Sequence, residues 1–197
     1  MKCSRTAEIS RKTNETDIFL KLNVDGTGES KIDTGVGFLN HMLELFTRHG
    51  GFDLEIKASG DTYIDNHHTV EDIGICLGDA FKQALGDKRG ISRYGFFLLP
   101  MDETLMECAI DFSGRTFLNF DVEFKTERVG DFETELAEEF FKAFADRTAA
   151  NLHIIKRYGH NTHHIIEGMF KVVARAIKMA TVVESDRIMS TKGTLSE

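Results

Sequence analysis

The residues best suited to chemistry come as one pattern written twice: His67-His68-x-x-Glu71 and His163-His164-x-x-Glu167. Neutral imidazole nitrogen and carboxylate oxygen are ordinary ligands of divalent cations. At the start of a helix, residues three or four apart share a face, so each Glu can side with a histidine of its own pair. Adjacent histidines point roughly 100° apart on a helix and are poorly placed to chelate one ion together. Each is therefore expected to serve a different ion. A single copy of the pattern is more often a plain polar helix start. Two copies at matching places, with five of the eight histidines in or just before them (His160 included), point to metal binding. Ligands of this kind without thiolates suit Mn²⁺, Zn²⁺, Fe²⁺ or Co²⁺.

The elements around the motifs also occur twice. Residues 36–48 and 134–149 have helical apolar spacing, and each is followed by a short alternating strand, 52–58 and 152–155. A polar loop then leads to each His pair, and helices follow over 69–85 and 165–180. The His pairs are 96 residues apart, and upstream Phe46 matches Phe144, Leu54 Leu152 and Ile56 Ile154 at an offset of 98. Internal duplication explains this order. The expected class is α+β: two repeated half-domains, each a small mixed or antiparallel sheet with helices on one face, packed as a pseudo-two-fold pair. A parallel sheet would need a helix between successive strands, and the strand-like run 95–124 offers none. The expected divisions are 1–92, 93–182 and a tail, 183–197. Ile18–Val24 reads as a strand, and Asp25-Gly26-Thr27-Gly28 as the turn of a hairpin to a strand around Ser30–Ile32.

The duplication adds candidates. His41 aligns with Glu139, and both can bind a metal, which favours a third ligand per half. His153 aligns with Glu55, but on strands and far from other ligands these read as exposed polar positions. Arg93, Arg115, Lys171, Arg175 and Ser190-Thr191-Lys192-Gly193 are candidates for substrate contact, and Glu15 and Asp102 for acid/base work. Taken singly, each reads better as a surface group.

Bulk composition narrows the classes. The chain has 197 residues, 41% hydrophobic and 28% charged, with sixteen Phe, as a globular protein does. A net charge of −8 with no Lys/Arg-rich run argues against nucleic acid or an anionic membrane as partner. An anionic substrate needs only a few placed Arg and Lys. Cys3, Cys76 and Cys108 are odd in number and form no C-x-x-C pair, which suits a reducing compartment. With no signal-peptide core at the start and no apolar run near ~20 residues, the expected location is cytoplasmic.

Longer runs carry a family resemblance. DTGVGFLNHML, GDTYIDNHHTVEDIGICLGDA, LPMDET, DFSGRTFL, HNTHHIIEGMFKVVARAI and STKGTL resemble imidazoleglycerol-phosphate dehydratase of histidine biosynthesis, from about Arg5 to Leu195. The resemblance implies two half-domains of the ribosomal protein S5 domain 2-like kind. It implies two Mn²⁺ ions per active site and a 24-subunit assembly with sites between subunits. The implied reaction converts imidazole glycerol phosphate to imidazole acetol phosphate with loss of water. Implied metal ligands are His41, His67, His68, Glu71, His163, His164 and Glu167, with Glu139 at a position where many relatives have His. Implied substrate contacts are Glu15, His49, Arg93, Arg115, Lys171, Ser190 and Lys192. An imidazole ring between two cations can become imidazolate and push out the hydroxyl as water. A carboxylate then moves the remaining protons, the candidates being Glu71, Glu167 and Glu15, with Asp102 after the lone proline. Two rivals are a dinuclear metallohydrolase, which would release inorganic phosphate, and a metal-storage or sensing protein, which would show no turnover.

Overall fold

The structure, a computed structural model, describes residues 5–195. The first half runs β1 (Thr6–Lys12), β2 (Thr16–Asn23), β3 (Ser30–Asp33), α1 (Gly37–Gly50), β4 (Asp53–Gly60) and α2 (His67–Leu85). The second runs β5 (Tyr94–Met101), β6 (Thr104–Asp111) and β7 (Phe117–Asp121), then a small hairpin of β8 (Arg128–Val129) and β9 (Phe132–Glu133). It continues with α3 (Leu136–Thr148), β10 (Asn151–Tyr158) and α4 (Thr162–Ala180). The sheets have the same plan, β1-β2-β4-β3 and β5-β6-β10-β7, each with two antiparallel pairings and one parallel pairing. The halves are thus mixed α+β sheets with helices on one face, as the repeat implies.

The central strands bury one face. Ile18, Leu20 and Leu22 of β2 and Met106, Cys108 and Ile110 of β6 alternate inward against the helices. The helix layers then meet, α2 on α3 and α1 on α4. Phe46, Phe52, Phe81 and Phe144 pack in this shared core, Phe81 edge-on to Phe144 with centroids 5.7 Å apart. The α2–α3 approach needs glycine. A Cβ on Gly78 would sit 2.6 Å from Arg147 Cβ and 2.8 Å from the Phe144 carbonyl oxygen. Gly78→Val is therefore expected to lower stability by about 1–3 kcal/mol, read from a denaturation midpoint. An unchanged midpoint would mean that the helices do not meet so closely.

The first sheet holds one strand that was not expected and one whose pairing needs correction. The polar stretch before Ile18 contains an edge strand, β1. Its inward residues are only Ala7, Ile9 and the stem of Arg11, too faint an alternation to stand out. Ser30–Asp33 forms a strand, but it does not return as a hairpin beside β2. The place beside β2 is taken by the eight-residue β4, and β3 runs parallel on the far side of β4. The intervening loop winds around Asp53, whose Oδ1 accepts from the amides of Thr27 (2.7 Å), Gly28 (3.2 Å) and Glu29 (3.2 Å). Burial pushes the Asp53 carboxyl up, but these amides and Asn23 outweigh it and hold it low.

The β8–β9 hairpin has no counterpart in the first half. Asp131 in its turn accepts from the amides of Gly37 (2.7 Å) and Phe38 (3.1 Å), capping α1. Asn66, at the entry to α2, donates to the Asp131 carbonyl at 2.7 Å. One insertion therefore ties down the starts of two helices that carry candidate ligands. Cys76 and Cys108 are free and buried, and burial pushes the Cys76 thiol up to about 12, which leaves it inert. Cys3 lies outside the described residues. No described helix is long and apolar enough to cross a membrane.

Candidate active site

Both His pairs sit in the first turn of a helix, and local carboxylate or amide caps set that turn. The Asn161 side chain accepts from the amides of His163 (3.0 Å) and His164 (3.4 Å), and Asp65 accepts from His67 N at 2.8 Å. The paired rings diverge as adjacent helical residues must. Interplanar angles are 82° for His67–His68 and 84° for His163–His164. The first histidine of each pair turns toward its i+4 Glu, and the second turns toward the nearby loops.

Because α1 packs on α4, His41 meets the second motif. Donor atoms of His41, His163 and Glu167 lie within 4.8 Å of one another. The His163 Nε2 to Glu167 Oε2 distance is 3.1 Å, and His41 Nε2 lies 3.7 Å from the same oxygen. The other oxygen of Glu167 accepts from Lys171 Nζ at 2.5 Å. Burial pushes the Glu167 carboxyl up, but the Lys171 ammonium and His163 outweigh it, so the group is held as carboxylate, the ligand form. Phe38 packs edge-on against His163, with centroids 5.2 Å apart, and fixes that ring. His49, at the end of α1, faces the same region. Its imidazole is pushed down by burial and by the charges of Lys171 and Arg175, against the pull of Glu167.

In the first motif His67 Nε2 stands 4.0 Å from Glu71. Glu139 occupies the counterpart of His41, in the first turn of α3, which packs on α2. Its carboxylate pairs with Lys142 at 3.4 Å. Among the described residues only the His41 group gathers three donor atoms so closely.

The second histidines share a different setting. His68 Nδ1 lies 3.0 Å from Asp61, and its Nε2 lies 3.9 Å from Glu15. His164 Nδ1 lies 2.8 Å from Glu103, and its Nε2 lies 3.8 Å from Asp102. Asp102 and Glu103 form the turn between β5 and β6, with Asp102 in the left-handed region at φ 50°. The lone proline, Pro100, lies inside β5, tolerated because β5 is an edge strand.

Arg93, Arg115, Ser113, Ser190 and Lys192 line a separate cavity of about 200 Å³. This is smaller than a typical whole-ligand pocket of roughly 300–1,000 Å³ and suits one charged end of a ligand. Arg93 is partly committed. Its Nε and Nη2 donate to Asp111 at 2.7 and 2.9 Å, and Nη1 donates to the Met189 carbonyl at 2.7 Å. The tail is seated by the loop before β5. Gly90 N donates to Arg187 O at 2.8 Å, and the buried Lys88 donates to the Leu195 carbonyl at 3.2 Å. Burial and neighbouring cations push Lys88 down from its ordinary value.

Sequence spacing picked out the ligand-type residues but missed Asp61, Asp131 and Lys88, and named Glu103 only beside Asp102, without its partner. Asp61 is too far from His68 for helical periodicity to link them. The bland reading of the strand pair holds: Glu55 pairs with Lys31 at 2.8 Å, and His153 packs on Phe117 with centroids 5.5 Å apart.

Comparison with known proteins adds an independent line. The model of the imidazoleglycerol-phosphate dehydratase family matches residues 34–177. The imidazoleglycerol-phosphate dehydratase of Pelobacter propionicus is 58% identical over 194 residues, 98% of this chain and 100% of its own. That of Acetivibrio thermocellus is also 58% identical, over 97% and 99% of the two chains. The crystal structure of the Staphylococcus aureus enzyme superposes with a TM-score of 0.83 at 42% identity, over 90% of this chain and 99% of that one. The Pyrococcus furiosus enzyme, solved in complex with (S)-C348, superposes with a TM-score of 0.83 at 36% identity, over 94% and 99%. With a family model across most of the chain and near-full-length relatives above half identity, the chain belongs to the imidazoleglycerol-phosphate dehydratases, hydro-lyases of histidine biosynthesis.

Proposed function

We propose that the protein dehydrates imidazole glycerol phosphate to imidazole acetol phosphate, using two Mn²⁺ ions per site, at sites shared between subunits of a 24-subunit assembly. The observation that carries this reading is the convergence of His41, His163 and Glu167 on one point, with Glu167 held as carboxylate. Two imidazoles and a carboxylate without thiolate are a donor set that fits Mn²⁺. His41, His163 and Glu167 would hold one ion of a chain. His67, Glu71 and Glu139 are their counterparts, and His68 and His164 supply further ligands. When bound, the ions supply Lewis acidity toward the substrate's imidazole ring.

The chain's own groups divide the rest. Arg115, Lys192, Ser190 and the remaining donors of Arg93 bind the phosphate. In the net reaction the hydroxyl on the ring-bearing carbon leaves as water and the neighbouring carbon loses its hydrogen. The resulting enol then becomes the ketone. The leaving hydroxyl needs a proton from a carboxyl group in its acid form, and the carbon-bound hydrogen needs a carboxylate to take it. Glu15 and Asp102 are suited to this, each facing the Nε2 of a candidate ligand at 3.9 and 3.8 Å.

Helix length supports sites between subunits. Arg93 N donates to Ala180 O at the end of α4, while His163 stands at its start. At 1.5 Å per residue these ends are roughly 25 Å apart, too far for one small substrate to bridge within a chain. Contacts between copies also have a candidate surface. The outer face of the second sheet exposes Tyr94, Phe96, Leu98 and Phe117, whereas β1 shows Glu8 and Ser10 there. The number 24 rests on the family resemblance.

The reaction is tested by product analysis. Imidazole acetol phosphate should form in step with loss of imidazole glycerol phosphate and without inorganic phosphate. Release of phosphate would favour a hydrolase instead. The tail's seat gives a further prediction. Lys88→Met should raise KM roughly tenfold and change kcat less, because loss of a charge-assisted hydrogen bond of about 1.5 kcal/mol loosens Ser190 and Lys192. An unchanged KM would show that the tail holds its place without Lys88.

A further inference from the structure

His68 and His164 are equivalent residues of the two halves, yet the groups that hold them are not equivalent. Asp61, at the end of the first sheet's β4, reaches His68 Nδ1 with both oxygens, at 3.2 and 3.0 Å. At the offset of 98 that aligns the strands, the matching residue in the second half is Gly159, which has no side chain to make the contact. There the Nδ1 of His164 is taken by Glu103, from the turn between β5 and β6, at 2.8 Å. The corresponding turn of the first half supplies Glu15, which faces Nε2. Two halves of one duplication thus reach the same contact from different positions.

The contact has a definite chemical consequence. An ionised carboxylate only accepts, so in the neutral ring, the form that ligates, Nδ1 carries the hydrogen and Nε2 keeps its lone pair. Both carboxylates are themselves fixed. The Asp61 side chain is 10% exposed. Glu103 accepts from the amides of Asn161 (2.8 Å) and His160 (3.3 Å) and from the Thr104 hydroxyl (3.0 Å). Each ring is therefore held in one tautomer and one plane, with Nε2 facing the same side as Glu15 or Asp102. A ligating histidine is commonly oriented in this way through its other nitrogen.

We propose that Asp61 and Glu103 are positioning residues, each holding its histidine so that Nε2 is presented to a divalent cation. The inference rests on the reading of His68 and His164 as ligands. Asp61→Ala, Asp61→Asn, Glu103→Ala and Glu103→Gln are compared with the full-length wild type by titrating Mn²⁺ into metal-stripped protein. The melting midpoint of each metal-free form is measured alongside. The alanine variants should bind Mn²⁺ about 10–100-fold more weakly. The amide variants should lose less, because an amide oxygen still accepts from Nδ1. Metal-free midpoints should fall by too little to account for the lost affinity, since these carboxylates tie loops to a helix start rather than fill the core. Equal Mn²⁺ affinity in wild type and in both alanine variants would overturn the proposal. So would a fall in the metal-free midpoint that accounts for the whole loss, or amide variants as weak as alanine. Wild type that binds no Mn²⁺ would instead sink the ligand reading beneath it. Should an alanine variant fail to fold, the near-isosteric Asp61→Asn and Glu103→Gln still decide the matter through their intermediate affinity.

Discussion

Replacing Glu167 by Gln is expected to lower kcat/KM by about three orders of magnitude, on the scale of losing preorganised charge at a reacting centre. Roughly one of the two ions should be lost with it. The expectation follows from the place of Glu167 in the cluster. One of its oxygens is shared by His163 and His41, at 3.1 and 3.7 Å, and the other is held by Lys171 at 2.5 Å. The neutral amide is isosteric, so packing should survive. It offers a weaker oxygen to a cation, and its other end is a donor facing the Lys171 ammonium. Metal content by elemental analysis and steady-state kinetics check the two halves of the prediction. Full metal content with undiminished turnover would remove Glu167 from both ligand and acid/base roles.

Replacing Glu15 by Gln is expected to act differently. The kcat should fall about 10²–10⁴-fold, the usual worth of a positioned acid or base, while Mn²⁺ content and KM change little. Glu15 lies beside His68 Nε2 at 3.9 Å without an oxygen close enough to bind the ring. It is thus placed next to the candidate ligands rather than among them. Asp102 stands in the matching relation to His164 at 3.8 Å, so Asp102→Asn should give a deficit of the same kind. Loss of metal in Glu15→Gln would make it a ligand, and unchanged kcat would leave proton transfer to Asp102 or Glu71. The contrast between the two variants separates holding the ions from moving the protons.

Much of this was legible in the sequence because it depended on local spacing. The i, i+4 relation within each motif becomes the His163–Glu167 contact, and a repeated order of elements becomes two sheets of one topology. His41 was legible only through the duplication and the family resemblance, since nothing near it in the chain is a ligand. What could not be read depended on contacts between distant segments. The β3 strand was recognisable, but its partner was not, because pairing is decided by which strand fills the place beside β2. Asp131 caps α1 from 94 residues away, and Lys88 reaches Leu195 across 107. The polar residues that orient others carry no periodic signature, so Asp61 and Glu103 emerge only once the loops are folded.

A dehydratase whose doubled motif holds its metal ions must depend on those ions for turnover. The most direct measurement is the dehydration of imidazole glycerol phosphate by metal-stripped protein, before and after Mn²⁺ is restored. Negligible turnover is expected without the metal and recovery on its addition, with imidazole acetol phosphate as the product. Absence of activity in both conditions, or equal activity in both, would contradict this.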